Sequence, residues 1–175
     1  MLKKIKILAV LFFLLIFNNF AFSESNILFV DLDYIYLNSN AGKKVNKSIK
    51  DEANKITSES NSFKKKINQE KEKLINQKNI LAKEEFDKKF IQLDKKIKEF
   101  NSTTRSKRDA LIRFSDKSKV EFSNKLKDIL QDYAKKNSVE MIINKNNILV
   151  GKNNLDATKD ILDLFNKKIK TLEIK

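Results

Sequence analysis

The 175-residue sequence has no cysteine, histidine, proline or tryptophan, and its only glycines are Gly42 and Gly151. Each absence removes a class of chemistry. Without cysteine there is no disulfide, thiolate nucleophile or cysteine metal site. Without histidine the commonest general base and transition-metal ligand is missing. Two isolated glycines cannot build a phosphate-cradling loop, and the serines have no nucleophile-elbow setting. The acidic neighbours Glu84 and Glu85, and Asp31 and Asp33, read as a solvated tip and strand-end caps rather than a catalytic dyad. The sequence therefore predicts a non-enzyme with no catalytic, cofactor-binding or metal-binding residues.

What is present is a long uninterrupted stretch, Ala41 to Lys136, with no helix breaker after Gly42. It predicts helix throughout. Alternating steps of three and four trace a seam from Ile49 through Ala53, Ile56, Ser60, Phe63, Ile67, Glu70, Leu74 and Gln77 to Leu81. A second seam runs from Phe86 through Phe90, Leu93, Ile97, Phe100, Thr104, Lys107, Leu111, Phe114, Ser118, Phe122, Leu126 and Ile129 to Tyr133. Both are mostly apolar, as a coiled coil requires. The phase breaks at Ala82–Glu85, which makes those residues the expected tip. A continuous rod would be roughly 140 Å long; a chain folding back at residues 81–86 would form an antiparallel hairpin with arms of about 60 and 70 Å. The near match of the two lengths favours the hairpin. Polar seam positions such as Ser60, Glu70, Gln77, Thr104 and Lys107 are expected to weaken it and let the arm bend.

The N-terminus has a different character. Lys3, Lys4 and Lys6 form a positive region, Ile7 to Phe17 an apolar one, and Ala21-Phe22-Ser23 a small-x-small site. This predicts a signal peptide over residues 1–23, cleaved before Glu24, with a retained membrane anchor as the alternative. Export places the mature protein in the periplasm or outside the cell. From Glu24 onward the chain has 34 basic and 23 acidic residues, a net charge of +11. The stretch from Ala41 to Lys136 holds 27 basic against 15 acidic, net +12, and the remainder is near neutral. A positive field concentrated in one element attracts anionic partners.

Strand-favouring residues lie only at the two ends. Asn26–Asp31 reads as one buried strand, with Asp33 placed to cap a short following helix and Asn38–Gly42 as a loop. Val139–Ile143 and Ile148–Val150 read as two strands joined in a hairpin by a turn at Lys145–Asn147, and Asp156 as the cap of a last helix whose apolar face is Ile161, Leu162, Phe165 and Ile169. The expected fold is α+β and mostly α. A small three-strand body over residues 24–40 and 137–175 carries a helical coiled-coil arm over residues 41–136. Three short strands expose edges and bury little, so self-association through those edges is expected.

These pieces resemble the Skp/OmpH family of periplasmic chaperones. The resemblance is carried by Ile27–Ile35 and Ser39-Asn40-Ala41-Gly42-Lys43 at the head, and by Tyr133–Asn137, Ile142–Val150 and Leu155–Thr158 through Leu164 and Asn166 at the tail. The arm matches in pattern alone, and Leu81–Glu85 departs from the family in lacking the small polar residue that often caps the returning helix. The resemblance implies a homotrimer whose strands close a small β-barrel, with three arms around a cavity. It also implies an ATP-independent holdase that keeps unfolded outer-membrane β-barrel proteins from aggregating before insertion.

Phe63, Phe86, Phe90, Phe100 and Phe114 beside Lys64, Lys65, Lys66, Lys88 and Lys89 are the candidate client contacts, since an unfolded barrel strand alternates apolar and polar residues. The same phenylalanines also fit as seam residues, and the lysines as a solvated face. A structural coiled coil tethering envelope components is the alternative function. A nucleic-acid binder fits the charge but not the export signal, so nucleic acid is not expected as a partner. Anionic lipid or lipopolysaccharide would be attracted by the same field.

Overall fold

The computed structural model describes residues 26–174, so the expected signal peptide lies outside the described residues. The chain runs β1 (Ile27–Val30), α1 (Leu32–Asn38), α2 (Asn40–Asn76), α3 (Lys83–Lys136), β2 (Met141–Asn144), single 3-10 turns at Lys145–Asn147 and Asn153–Leu155, and α4 (Thr158–Lys168). It is mostly helical with a small sheet. Helices α2 and α3 pack against each other along the arm, so the long stretch is a hairpin and not a rod. Among the described residues no helix is long and apolar enough to cross a membrane.

The turn sits earlier than the seam pattern predicts. Helix α2 ends at Asn76, and residues 77–82 make the reversal. The N–H groups of Gln77 and Lys78 reach back to Lys73, Leu74 and Ile75, those of Ile80 and Leu81 to the Gln77 carbonyl, so the turn is closed by backbone alone and needs no glycine. Glu84 and Glu85, expected at the tip, occupy the first turn of α3, where carboxylates complement the helix dipole. Ala82 is the N-cap and provides no side-chain hydrogen bond, which leaves those carboxylates as the local stabiliser of the returning helix.

Local caps also differ from expectation. Asp31, not Asp33, caps α1: its Oδ1 accepts from the Tyr34 N–H at 2.8 Å. Asp33 instead accepts from the Asn146 side chain at 3.0 Å. The loop expected over residues 38–42 contracts to Ser39 alone, whose hydroxyl accepts from the Gly42 N–H at 3.1 Å and starts α2. For α4 the N-cap is Ala157, and Asp156 accepts from the Thr158 N–H at 2.9 Å from one position earlier.

Among the described residues the sheet has two strands, not the three expected. β1 and β2 pair in parallel, with Ile27 opposite Met141 and Val30 opposite Asn144. On the other side of β1, Phe29 forms a bridge to Asp156, and its carbonyl accepts from the Ala157 N–H at 2.9 Å. The expected hairpin between β2 and residues 148–150 does not form. The turn after β2 is fixed by Asn144 Oδ1 accepting from the Asn146 N–H, and the Lys145 ammonium is tied to Asp156 at 2.9 Å, so the chain is led across β1 instead of back along β2. Leu149 and Val150 are left 103% and 93% exposed, and the outer edge of β2 is unpaired among the described residues.

The core lies where the arm meets the sheet. Val30, Ile35 and Ala41 pack with Phe122, Leu126 and Ile129 of α3 and with Ala157, Ile161 and Phe165. Phe122 stacks obliquely on Phe165 at 4.6 Å and meets the Tyr36 ring edge-on at 4.9 Å. Helix α3, with 54 residues against 37 in α2, extends into this core with its last turns. Its C-terminus closes through Ser138 at φ 52, the left-handed conformation, with the Val139 N–H donating to the Ala134 carbonyl. A residue with a Cβ is disfavoured there. Ser138→Gly is expected to raise stability by about 0.5–1 kcal/mol, read as a shift of the urea midpoint at constant slope.

Candidate functional site

Arm stability is concentrated at a few seam positions, and this governs what the arm can do. Ile56, Ile67, Leu74 and Leu93 are buried between the helices, while Phe63, Phe86, Ile97 and Phe100 are partly covered. A two-helix seam has no third layer to cover its flanks, so aromatic surface stays accessible along its length.

The predicted contact residues separate into distinct settings. Phe63 and Phe100 stack face to face across the helices, with centroids 3.7 Å apart and planes within 5°. Phe86 packs on the Ile67–Leu74–Leu93 cluster near the turn. Phe114 is half-buried nearer the body, beside Glu52 and Leu111. Phe90 leaves the seam and is 58% exposed, so it is the one predicted phenylalanine that presents its ring freely. Lys64, Lys65, Lys66 and Lys88 are exposed; Lys89 is half-buried and paired with Glu85 at 3.2 Å.

Sequence reasoning missed the groove beside the stacked rings. It has a volume of about 720 Å³ and is lined by Phe63, Lys64, Lys71, Phe100, Arg105 and Arg108 together with Ile67, Ile97 and Ile112. Arg105 and Arg108 lie off the seam, so the seam pattern drew no attention to them; the cue in the sequence was their spacing, one turn apart on the face next to Thr104. Among the described residues no group of acidic side chains is arranged to hold a metal ion.

The polar seam positions do not simply loosen the arm. Lys107 reaches across to Glu59 at 2.5 Å and Lys96 to Glu70 at 2.8 Å, so two of them are interhelical clips. The Lys107 hydrogen bond holds the Glu59 carboxyl below the usual carboxylate range. A depressed folded-state value means that this clip contributes above the ordinary carboxylate pKa, about 4.3, and is lost as pH falls through the lower folded value. Spin labels at Ser58 and Ser106 are therefore expected to give a narrow distance distribution at neutral pH that broadens in acid below that value. In Lys107→Gln it should be broad at both; equal widths for both proteins at both pH values would mean the clip restrains nothing.

A family model described as outer membrane protein (OmpH-like) matches residues 26–165. Among solved structures, a candidate outer membrane chaperone (OmpH-like) from Caulobacter crescentus superposes with a TM-score of 0.78 at 14% identity, over 86% of this chain and 89% of that one. At that identity the likeness speaks for the fold. No curated protein matches the sequence.

Proposed function

The chain belongs to the OmpH-like outer membrane protein family, and from that premise we propose that it is an ATP-independent holdase of the periplasm that binds unfolded outer-membrane β-barrel proteins between its arms. The observation that carries this reading is the hairpin arm itself, in which half-covered phenylalanines and exposed cations run side by side along a thin seam. Such a surface offers many weak contacts to a chain that alternates apolar and polar residues. Phe63, Phe86, Phe90, Phe100 and Phe114 with Lys64, Lys65, Lys66, Lys88 and Lys89 are the proposed client contacts.

Residues 24–40 and 137–175 form the proposed oligomerisation body and residues 41–136 the arm. The free edge of β2, with Met141 exposed on that strand, and the separately exposed Leu149 and Val150 support a homotrimer in which each subunit's apolar 148–150 segment adds to a neighbour's sheet and the strands close a barrel. The leader-like residues 1–23 support export to the periplasm. The excess of basic residues on the arm makes anionic lipid or lipopolysaccharide a further partner. Purified mature protein should suppress the aggregation of a denatured outer-membrane barrel protein at stoichiometric ratio without nucleotide, as followed by light scattering. Undiminished scattering at every ratio would refute the holdase reading.

A further inference from the structure

A minority of the arm's cations are engaged by carboxylates of the same chain, and they include cations bordering the other arm grooves. Lys47, Lys55, Lys95 and Lys98 pair with acidic residues three or four positions away, and Lys96 and Lys107 pair across the helices. In the groove nearest the turn, two of the three lysines, Lys89 and Lys96, are committed to Glu85 and Glu70, leaving Lys73. The mid-arm groove is different. Its lining holds four cations, Lys64, Lys71, Arg105 and Arg108, against the single carboxylate of Asp109. None of the four makes an ion pair among the described residues. The stacked rings of Phe63 and Phe100 line the same groove as the four cations.

We infer that this groove is a discrete subsite for extended polypeptide in which apolar residues alternate with carboxylates. The inference rests on the holdase reading and deepens it, by giving one place on the arm a preference for client sequence. Lys64 and Lys71 stand seven positions apart on α2, about 10 Å along its axis. Extended chain rises about 3.3 Å per residue and directs successive side chains to opposite faces. Three residues therefore span the two lysines, with apolar side chains directed to the Phe63–Phe100 rings and acidic ones outward. The long stems of Lys and Arg can fold over the bound chain and bring their charges to those carboxylates. Desolvation by the rings strengthens each such pair, and the local surplus of positive charge rejects basic segments. Cations spread over about 10 Å of the arm match carboxylates repeated along a chain better than a single phosphate headgroup, which favours polypeptide over lipid.

The test uses the full mature protein and short fluorescent peptides in which Phe alternates with Asp, Gln or Lys, read by anisotropy. The Asp peptide should bind at least about tenfold tighter than the Lys peptide, as several exposed ion pairs together allow, and should weaken with salt. K64Q/K71Q/R105Q/R108Q should lose that advantage. K47Q/K55Q/K95Q/K98Q, which removes the same charge from the arm at paired positions, should keep it. Both sets alter exposed side chains, and circular dichroism checks that the arm is intact.

Equal losses in the two variants would reduce the effect to net charge and overturn the subsite. So would equal affinity for the three peptides, or competition by anionic phospholipid vesicles whose own binding falls in parallel in the groove variant, which would assign the groove to lipid. Wild-type protein that prefers the Asp peptide but leaves barrel-protein aggregation unchanged would support the subsite and refute the holdase reading, so the two fail separately.

Discussion

Replacing Gly42 with alanine is expected to cost about 3 kcal/mol or more of folding stability, although a single methyl group is added in a sequence that is otherwise rich in helix formers. A Cβ at this position would stand 1.8 Å from the Tyr36 carbonyl oxygen and 2.9 Å from the Ser39 hydroxyl. The first of these is backbone. It cannot rotate away as a side chain would, so the added atom must push α1 off α2. Displacement would reach Ile35 and Ala41, both fully buried, and through them the Phe122–Phe165 packing. It would also break the Ser39 cap that starts the arm. Urea unfolding at fixed protein concentration, so that any association is held constant, is the measurement. A loss within about 0.5 kcal/mol, the range of ordinary surface substitutions, would mean that the α1–α2 junction is not a close contact in solution.

The second large effect is functional. Removing residues 57–106 and joining Ile56 to Lys107 by a short glycine loop is expected to abolish suppression of barrel-protein aggregation while leaving a folded body. The boundaries follow from packing. Phe122, Leu126 and Ile129 belong to the body's core although they lie on the arm's returning helix, so a cut reaching Ile129 would destroy the fold it is meant to spare. Every residue of that core lies outside 57–106, whereas the stacked rings, the acidic partners of both interhelical clips and most of the mid-arm groove, all but Arg108, Asp109 and Ile112, lie inside. The truncated protein should melt cooperatively and sediment as the same oligomer as the parent protein, with aggregation of the barrel protein proceeding as in its absence. Retained suppression would place the holding surface on the body. Loss of the oligomer with the body still folded would contradict the proposed association through sheet edges.

The arm was legible in the sequence because a period of three and four residues repeated over many turns has few alternative explanations. The buried positions Ile56, Ile67, Leu74 and Leu93 all fall on the seam so traced. Its turn was legible only to within several residues: Asn76–Ala82 reverses through backbone hydrogen bonds, which leave no glycine or proline behind as a marker. At the ends of the chain, an apolar run identified β1 and β2 but not their partners. Pairing was expected between neighbours in sequence, because Lys145–Asn147 reads equally as a hairpin turn. What decides otherwise is long-range: the ties from Asn146 to Asp33 and from Lys145 to Asp156 appear only once the two ends are folded together.

The candidate site was legible in its residue types and not in their grouping. Phe63, Phe100 and Lys64 were evident as aromatic and basic arm residues. That Phe63 and Phe100 touch, and that Lys71, Arg105 and Arg108 border the same groove, depends on the register of two antiparallel helices. A shift of one turn would assemble a different set. The paired charges at Glu59–Lys107 and Glu70–Lys96 depend on that same register, so seam positions that looked like weak points in one dimension hold the two helices in step in three.

The parallel pairing of Ile27 with Met141 has a kinetic consequence. About two-thirds of the chain intervenes between these partners, so strand closure from an open coil would carry a large entropic penalty and would be slow. Helix formation and zipping of the hairpin are local events that bring Ala41 and Phe122 together first. Once that has happened, the ends to be joined already hang from adjacent points, and the effective loop shrinks to the few residues on either side. A polypeptide emerging N-terminus first would thus hold β1 unpartnered until its last third arrived, with the zipped helices serving as the jig on which the sheet is finally assembled.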